Sequence, residues 1–284
     1  MTETKTLKLT YPANEEVFSE IPLMEFDDIA RKTDLGKRAF ASWRNTSVIQ
    51  RISAIQKIIQ WFQQNKYSIA KDITHQIGKP ILQSENEVNG AIYRMEGLCR
   101  IAEKALDPRI ANSSKDIQQK VLREPLGLIL DIAAWNYPLL IAANIVIAGV
   151  LAGNAVIVKH SSKTPLSGKA FEDAFKSVNV PENLVQNIIC DHQTLADSIT
   201  AGLFDHISFT GSVTAGKAIS NSVSGQFIDL GLELGGKDPA YITEFAELNK
   251  AVPNVVDGVF YNAGQSCCGV ERIYVHSDKY DLFC

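Results

Sequence analysis

Between positions 27 and 105 apolar residues recur at helical spacing. In Ser47-Val-Ile-Gln-Arg-Ile-Ser-Ala-Ile-Gln-Lys-Ile-Ile-Gln-Trp-Phe they fall at 48, 49, 52, 55, 58, 59 and 62, one stripe on a helical period. Gly78-Lys-Pro interrupts this texture, and Ser84-Glu-Asn-Glu reads as the entry to a further helix. Aspartate, proline and serines at 107–114 read as a loop.

Beyond position 118 the pattern changes. Short apolar runs at 128–132, 155–158, 185–190 and 206–209 alternate with helical stretches from Pro138 and at 165–177, 193–202 and 213–223. Strands alternating with helices of this length predict βαβ units, hence an α/β fold with a doubly wound, mostly parallel sheet behind an N-terminal helical segment. A helical stretch at 247–260 and a strand-like segment at 272–276 follow. The strongly apolar stretch 126–153 is broken by Asp131, Asn136, Pro138 and Asn144, so it reads as a buried strand followed by a buried helix and not as a membrane span.

Composition narrows the function. The 284 residues carry 28 basic and 32 acidic side chains, a net charge of −4, which supplies no electrostatic footprint for nucleic acid or an anionic membrane. Cys99, Cys190, Cys267, Cys268 and Cys284 are odd in number and form no CxxC. With a polar N-terminus that lacks an apolar leader, they read as reduced thiols of a cytoplasmic protein. The histidines show neither HExxH nor Cys/His spacing, so no metal site is expected.

In a doubly wound sheet ligands bind where strands end. Phe209-Thr-Gly-Ser-Val-Thr-Ala-Gly-Lys-Ala closes a strand and opens a helix, whose free N–H groups suit a pyrophosphate. Ala218 stands where a P-loop requires a hydroxyl, and G-x-G-x-x-G is absent; taken alone, Ser212 is equally a helix cap. Cys267, after Gly264-Gln-Ser, is a candidate nucleophile, although most isolated cysteines are small core residues. Glu233, flanked by leucines, becomes a general base if those neighbours desolvate it; otherwise it is a surface acid. Asn136 offers an amide to an oxyanion, or caps the helix that begins at Pro138.

Taken together these residues resemble the aldehyde dehydrogenase superfamily. Arg123-Glu-Pro-Leu-Gly, Trp135-Asn-Tyr-Pro, Ala152-Gly-Asn-Ala-Val-Ile-Val-Lys, Thr164-Pro, Phe209-Thr-Gly-Ser, Leu232-Glu-Leu-Gly-Gly-Lys and Phe260-Tyr-Asn-Ala-Gly-Gln-Ser-Cys stand in the family's order, with Arg272 beyond them. The resemblance implies that Cys267 attacks an aldehyde carbonyl and that the Asn136 amide and the Cys267 N–H hold the oxyanion. Glu233 then activates the water that releases the acid from a thioester. Cys268 is one residue out of register and is a bystander. NAD or NADP is the implied cofactor, held by Ile132, Ala134, Trp135, Lys159, Ser162, Phe209, Gly211, Ser212 and Leu234.

The resemblance also implies an NAD(P)-binding domain over 1–235, helical at 27–105 and alternating over 118–235, and the start of an incomplete catalytic domain at 236–284. A small aldehyde is the implied partner, and a homo-oligomer is compatible. Two departures matter. NAD-preferring members carry a glutamate three residues after the lysine, where this chain has Ser162; with Lys163 adjacent, NADP is expected to be at least accepted. Family members also run on for roughly two hundred residues past the nucleophile, the size of a further domain. The chain is therefore expected to lack the substrate tunnel wall and to turn over little. The competing readings are a non-catalytic NAD(P)-binding remnant or half of a split enzyme, and a redox-sensing role for Cys267 and Cys268. Glu233 argues against the CoA-acylating relatives.

Overall fold

The structure, a computed structural model, describes residues 5–113 and 116–284; the polar start of the chain, Met1 to Thr4, and Ser114 of the expected loop lie outside the described residues. The chain forms two compact units. One runs to Thr210 and takes in Thr214–Leu232; the other comprises Gly211–Val213 and Glu233–Cys284.

The first unit opens with an antiparallel hairpin, β1 (Thr6–Thr10) and β2 (Val17–Pro22). Helices α1 (Phe26–Trp43), α2 (Val48–Gln64), α3 (Lys66–Ile77) and α4 (Ile81–Leu106) follow. The predicted stripe on α2 is buried at Ile55, Ile58, Ile59 and Phe62, and Ser47 caps the helix in a box with Gln50. Gly78, at φ 71°, ends α3 in the left-handed conformation. The restart is not at Ser84. Pro80 forms the N-cap of α4, which leaves Ser84 buried in the first turn, its hydroxyl 3.0 Å from that of Thr74.

The loop expected at 107–114 is also corrected. β3 (Arg109–Ser113) pairs antiparallel with β4 (Gln118–Val121). Every residue of both strands is exposed, so no buried face imposes the alternation by which a strand is recognised.

The sheet is built from β5 (Leu128–Ala133), α5 (Pro138–Leu151), β6 (Ala155–His160), α6 (Pro165–Lys176), β7 (Val185–Ile188), α7 (His192–Thr200), β8 (His206–Gly211), α8 (Val213–Val223) and β9 (Asp229–Leu234). Its order is β7-β6-β5-β8-β9, and β5–β6, β6–β7 and β5–β8 are parallel. β7 ends two residues earlier than the apolar run suggested. The chain builds outward from β5 and then returns to its other side, so the order reverses between β5 and β8, where such sheets bind ligands. β5 and β6 are buried throughout, because helices cover both faces. Gly36 of α1 lets Leu128 pack against one face, while Gly149 of α5 lies against Ile129 on the other.

Asp131, two residues on from Ile129, shares the α5 face of β5. Its carboxyl is buried, Oδ2 has no hydrogen-bond partner, and burial pushes its pKa well above the usual carboxylate range. Because the folded value is raised, the stability the group confers is complete below pH ~4 and is lost as pH rises toward the folded value. Asp131→Val, which fits a buried parallel strand, is expected to raise stability at neutral pH by about 1–3 kcal/mol. Urea unfolding at pH 7 checks this, and an unchanged midpoint would count against it.

The second unit contains β10 (Asp238–Ile242), α9 (Leu248–Phe260), a short 3₁₀ turn (Tyr261–Gly264), β11 (Val270–Val275) and α10 (Ser277–Phe283), with β10 and β11 parallel. Among the described residues no helix is long and apolar enough to cross a membrane, and no cluster of His, Cys, Asp and Glu could hold a metal. All five cysteines are free.

Candidate active site

In the first unit the sheet register assembles part of the predicted set. Ile132 pairs with Lys159 on one side and with Phe209 on the other, so the three form one row near the carboxyl ends of β6, β5 and β8. Ala134 and Trp135 follow directly from β5. Lys159 and Ser162 line a cleft of about 220 Å³ together with Leu7, Leu23, Cys190 and Asp191. Lys159 is 5% exposed, and its ammonium has no hydrogen bond or ion pair among the described residues. Burial lowers its pKa, while Cys190 and Asp191 oppose that shift; burial also pushes the Cys190 thiol up to about 11. An unpartnered ammonium lining a cleft fits sugar hydroxyls or a phosphate. Lys163 does not line that cleft. Its Nζ lies 4.3 Å from the centre of the Trp135 ring, a cation–π contact that the sequence did not suggest.

Asn136 stands one residue before Tyr137, the N-cap of α5, so the capping role open to it falls to its neighbour, which makes no side-chain cap bond. The backbone of this turn is held from α4, β6 and the segment between α3 and α4. Lys79 Nζ donates to the Asn136 carbonyl at 2.9 Å, and His160 Nε2 lies 2.8 Å from the Pro138 carbonyl. The Leu139 N–H donates to Glu87 Oε1 at 3.0 Å. None of these three side chains was assigned a role at this turn from sequence. Lys79 and Glu87 lie 57 and 52 residues from the groups they bind, and no periodicity reports such a contact.

In the second unit the Glu233 segment meets the cysteine loop. The Gly235 N–H donates to the Gly211 carbonyl at 3.3 Å. A Cβ on Gly236 would sit 1.6 Å from the Cys267 carbonyl oxygen, so only glycine permits this approach. Arg272 donates to the Lys237 carbonyl at 2.9 Å and ties β11 to the same segment. Ahead of Cys267, Asn262 and Ala263 adopt φ of 54° and 57°, left-handed values that are strained for residues with a side chain. Buried Asn262 supports the turn by donating to the Gln265 carbonyl at 3.1 Å.

Cys267 is exposed, and so are Ser212 and Glu233. The desolvation that the flanking leucines suggested for Glu233 is therefore not found. Leu234 and Gly211 are half-buried, whereas Phe209 is buried in the first unit. Partial burial, followed by the neighbouring Cys268, pushes the Cys267 thiol above its ordinary value. A raised value disfavours the thiolate, so use of this group as a nucleophile requires removal of a proton. Asn136 belongs to the first unit and Cys267 to the second.

A doubly wound sheet with polar loops at its strand ends, joined to a glycine-supported cysteine loop, defines the class of protein. The chain belongs to the aldehyde dehydrogenase family, whose model matches residues 1–284. It is 28% identical to the D-glyceraldehyde dehydrogenase (NADP(+)) of Thermoplasma acidophilum over 98% of this chain and 57% of that protein. It is 30% identical to the 3,6-anhydro-alpha-L-galactose dehydrogenase of Streptomyces coelicolor, over 98% and 56%. The aldehyde dehydrogenase structure from Brucella melitensis biovar abortus superimposes with a TM-score of 0.93 at 26% identity, over 98% of this chain and 58% of that one. A betaine aldehyde dehydrogenase from Staphylococcus aureus, in complex with NAD+, gives 0.91 at 26%, over 98% and 57%. The chain thus spans little more than half the length of these relatives.

Proposed function

We propose that the chain is an NAD(P)-dependent aldehyde dehydrogenase of the hydrolytic type, acting through Cys267. The observation that carries the reading is the strained, glycine-supported loop that presents Cys267 beside the segment bearing Glu233. Cys267 Sγ loses its proton and adds to the aldehyde carbon as a thiohemiacetal. The Asn136 amide and the Cys267 N–H hold the oxyanion. When bound, NAD(P)+ supplies the two-electron oxidant that takes this adduct to a thioester. Glu233 accepts a proton from the water that cleaves the thioester, releasing the acid and the thiol.

In this reading the cofactor-binding domain is 1–235, and 236–284 begins the catalytic domain. Ile132, Ala134, Trp135, Lys159, Ser162, Phe209, Gly211, Ser212 and Leu234 hold the cofactor. Unpartnered Lys159, together with a serine at 162 where a carboxylate would repel a 2′-phosphate, supports acceptance of NADP. Lys163, held on Trp135, keeps its positive charge near the same residues. Five free thiols support a reducing, cytoplasmic setting.

The test is formation of NAD(P)H from small and sugar aldehydes by the wild type and by Cys267→Ala. A signal is expected with both cofactors, and it disappears in the variant. A Cys267 thiol whose pKa is raised and not lowered favours a second reading, a non-catalytic NAD(P)-binding role. Binding of NAD+ or NADP+ without any Cys267-dependent signal would establish it in place of the first.

A further inference from the structure

The turn 136–140 sits at a helix start that lacks a cap of its own. Pro138 has no N–H, and the Tyr137 N-cap makes no side-chain cap bond. An uncapped helix start leaves N–H groups facing nothing, and its direction is then poorly determined. Here a different helix closes it. Glu87 of α4 accepts the Leu139 N–H and also interacts with the Leu140 N–H, so its carboxylate stands where the helix dipole favours an anion.

A carboxylate whose side chain is 3% exposed needs a counter-charge, and Lys79, 4% exposed, provides it through a direct ion pair. The same ammonium donates to the Asn136 carbonyl at 2.9 Å and lies 4.6 Å from the centre of the Tyr137 ring. Burial is the larger influence on Glu87 and raises its pKa, with Lys79 opposing that shift. One buried pair therefore reaches both sides of Pro138, holding a carbonyl before it and N–H groups after it. His160 adds a third hold at the Pro138 carbonyl itself. A pair placed only to tie the α3–α4 connection to α4 would have no need of the backbone of a third segment.

We propose that Lys79 and Glu87 are positioning residues for the Asn136 amide. They fix the backbone on which that amide is carried, by capping α5 from outside and gripping the preceding carbonyl. The proposal rests on the aldehyde dehydrogenase reading for the use to which Asn136 is put, but not for the geometry it predicts.

The test compares the full chain with Lys79→Met, Glu87→Gln and Lys79→Arg, using amide hydrogen exchange and the carboxamide resonances of Asn136 in protein labelled at asparagine. In Lys79→Met and Glu87→Gln the Leu139 and Leu140 amides are expected to exchange at least tenfold faster and the Asn136 carboxamide peaks to shift. Amides of β5, which belong to the fold at large, keep their protection. Lys79→Arg, which retains a cation able to donate twice, restores the Asn136 peaks toward their wild-type positions.

Unchanged exchange and unmoved Asn136 peaks in both disrupted variants would overturn the proposal. So would equal loss of protection in β5, because the pair would then only support the fold. Where the wild type shows Cys267-dependent turnover, that rate falls in the disrupted variants while the KM for cofactor stays constant. Shifted Asn136 peaks in a chain without turnover would leave the positioning intact and remove only the catalytic reading. Turnover with unmoved peaks would do the reverse.

Discussion

Replacing Arg51 with alanine is expected to lower the unfolding free energy by roughly 3 kcal/mol. The Arg51 guanidinium leaves α2 and ends among three acceptors. Nε donates to Thr46 Oγ1 at 3.0 Å, Nη2 to the Arg44 carbonyl at 2.9 Å and Nη1 to the Leu151 carbonyl at 3.2 Å. Arg44 is the C-cap of α1 and Leu151 is the last residue of α5, so one cation serves the carbonyl ends of two helices, where positive charge is favoured. The side chain is buried, and truncation leaves these acceptors without donors and opens a void. Gly153, at φ 95°, could not fill the space without strain; a Cβ there would lie 2.6 Å from Nη1 while the guanidinium is present. Arg51→Lys is expected to recover only part of the loss, because one ammonium cannot span three directions. Urea midpoints for the wild type and both variants check this. A loss below about 0.5 kcal/mol for the alanine variant, the ordinary range for a surface substitution, would defeat the expectation.

Acid is expected to destabilise the protein through His160. The ring is buried, with Nε2 2.8 Å from the Pro138 carbonyl and Nδ1 2.8 Å from the Thr164 hydroxyl. A neutral ring with its proton on Nε2 donates to the carbonyl and accepts from the hydroxyl, which satisfies both sides. Burial pushes its pKa down to about 4 from 6.5. Because the folded value lies below the unfolded one, the unfolded chain takes up the proton first. Stability is complete above pH ~6.5 and falls as pH drops toward ~4, by up to about 3 kcal/mol. Asp131 acts oppositely in this window, since its raised pKa favours the fold as pH falls. The quantity to measure is therefore the difference between wild type and His160→Gln in urea stability at pH 7 and pH 5. The variant should show a flatter acid limb, and identical slopes would remove His160 as the cause.

Legibility varied with the physical origin of each element. α2 and the β5–α5–β6 run could be read because burial imposes a hydrophobic pattern on the residues themselves, as at Ile55, Ile58 and Phe62 or across 155–158. β3 and β4 could not, because they are held by backbone pairing with every side chain in water. Ser84 was misplaced because capping chemistry and a buried in-helix serine use the same residue type, and the extended ψ of Pro80, 138°, is what places the helix start four residues earlier.

The site divides in the same way. The composition and order of the loops containing Asn136, Lys159, Gly211, Glu233 and Cys267 are properties of the chain, since each is a local run of residue types that one chemistry requires. So is the family to which they belong. Which groups hold those loops is not. The Lys79–Glu87 pair beneath the Asn136 turn, Arg51 across two helix ends, Lys163 drawn onto Trp135 and the exposure of Glu233 all depend on distances between residues remote in sequence. A linear pattern records what each residue can do. Only packing in three dimensions sets which partner it meets and how much water remains around it.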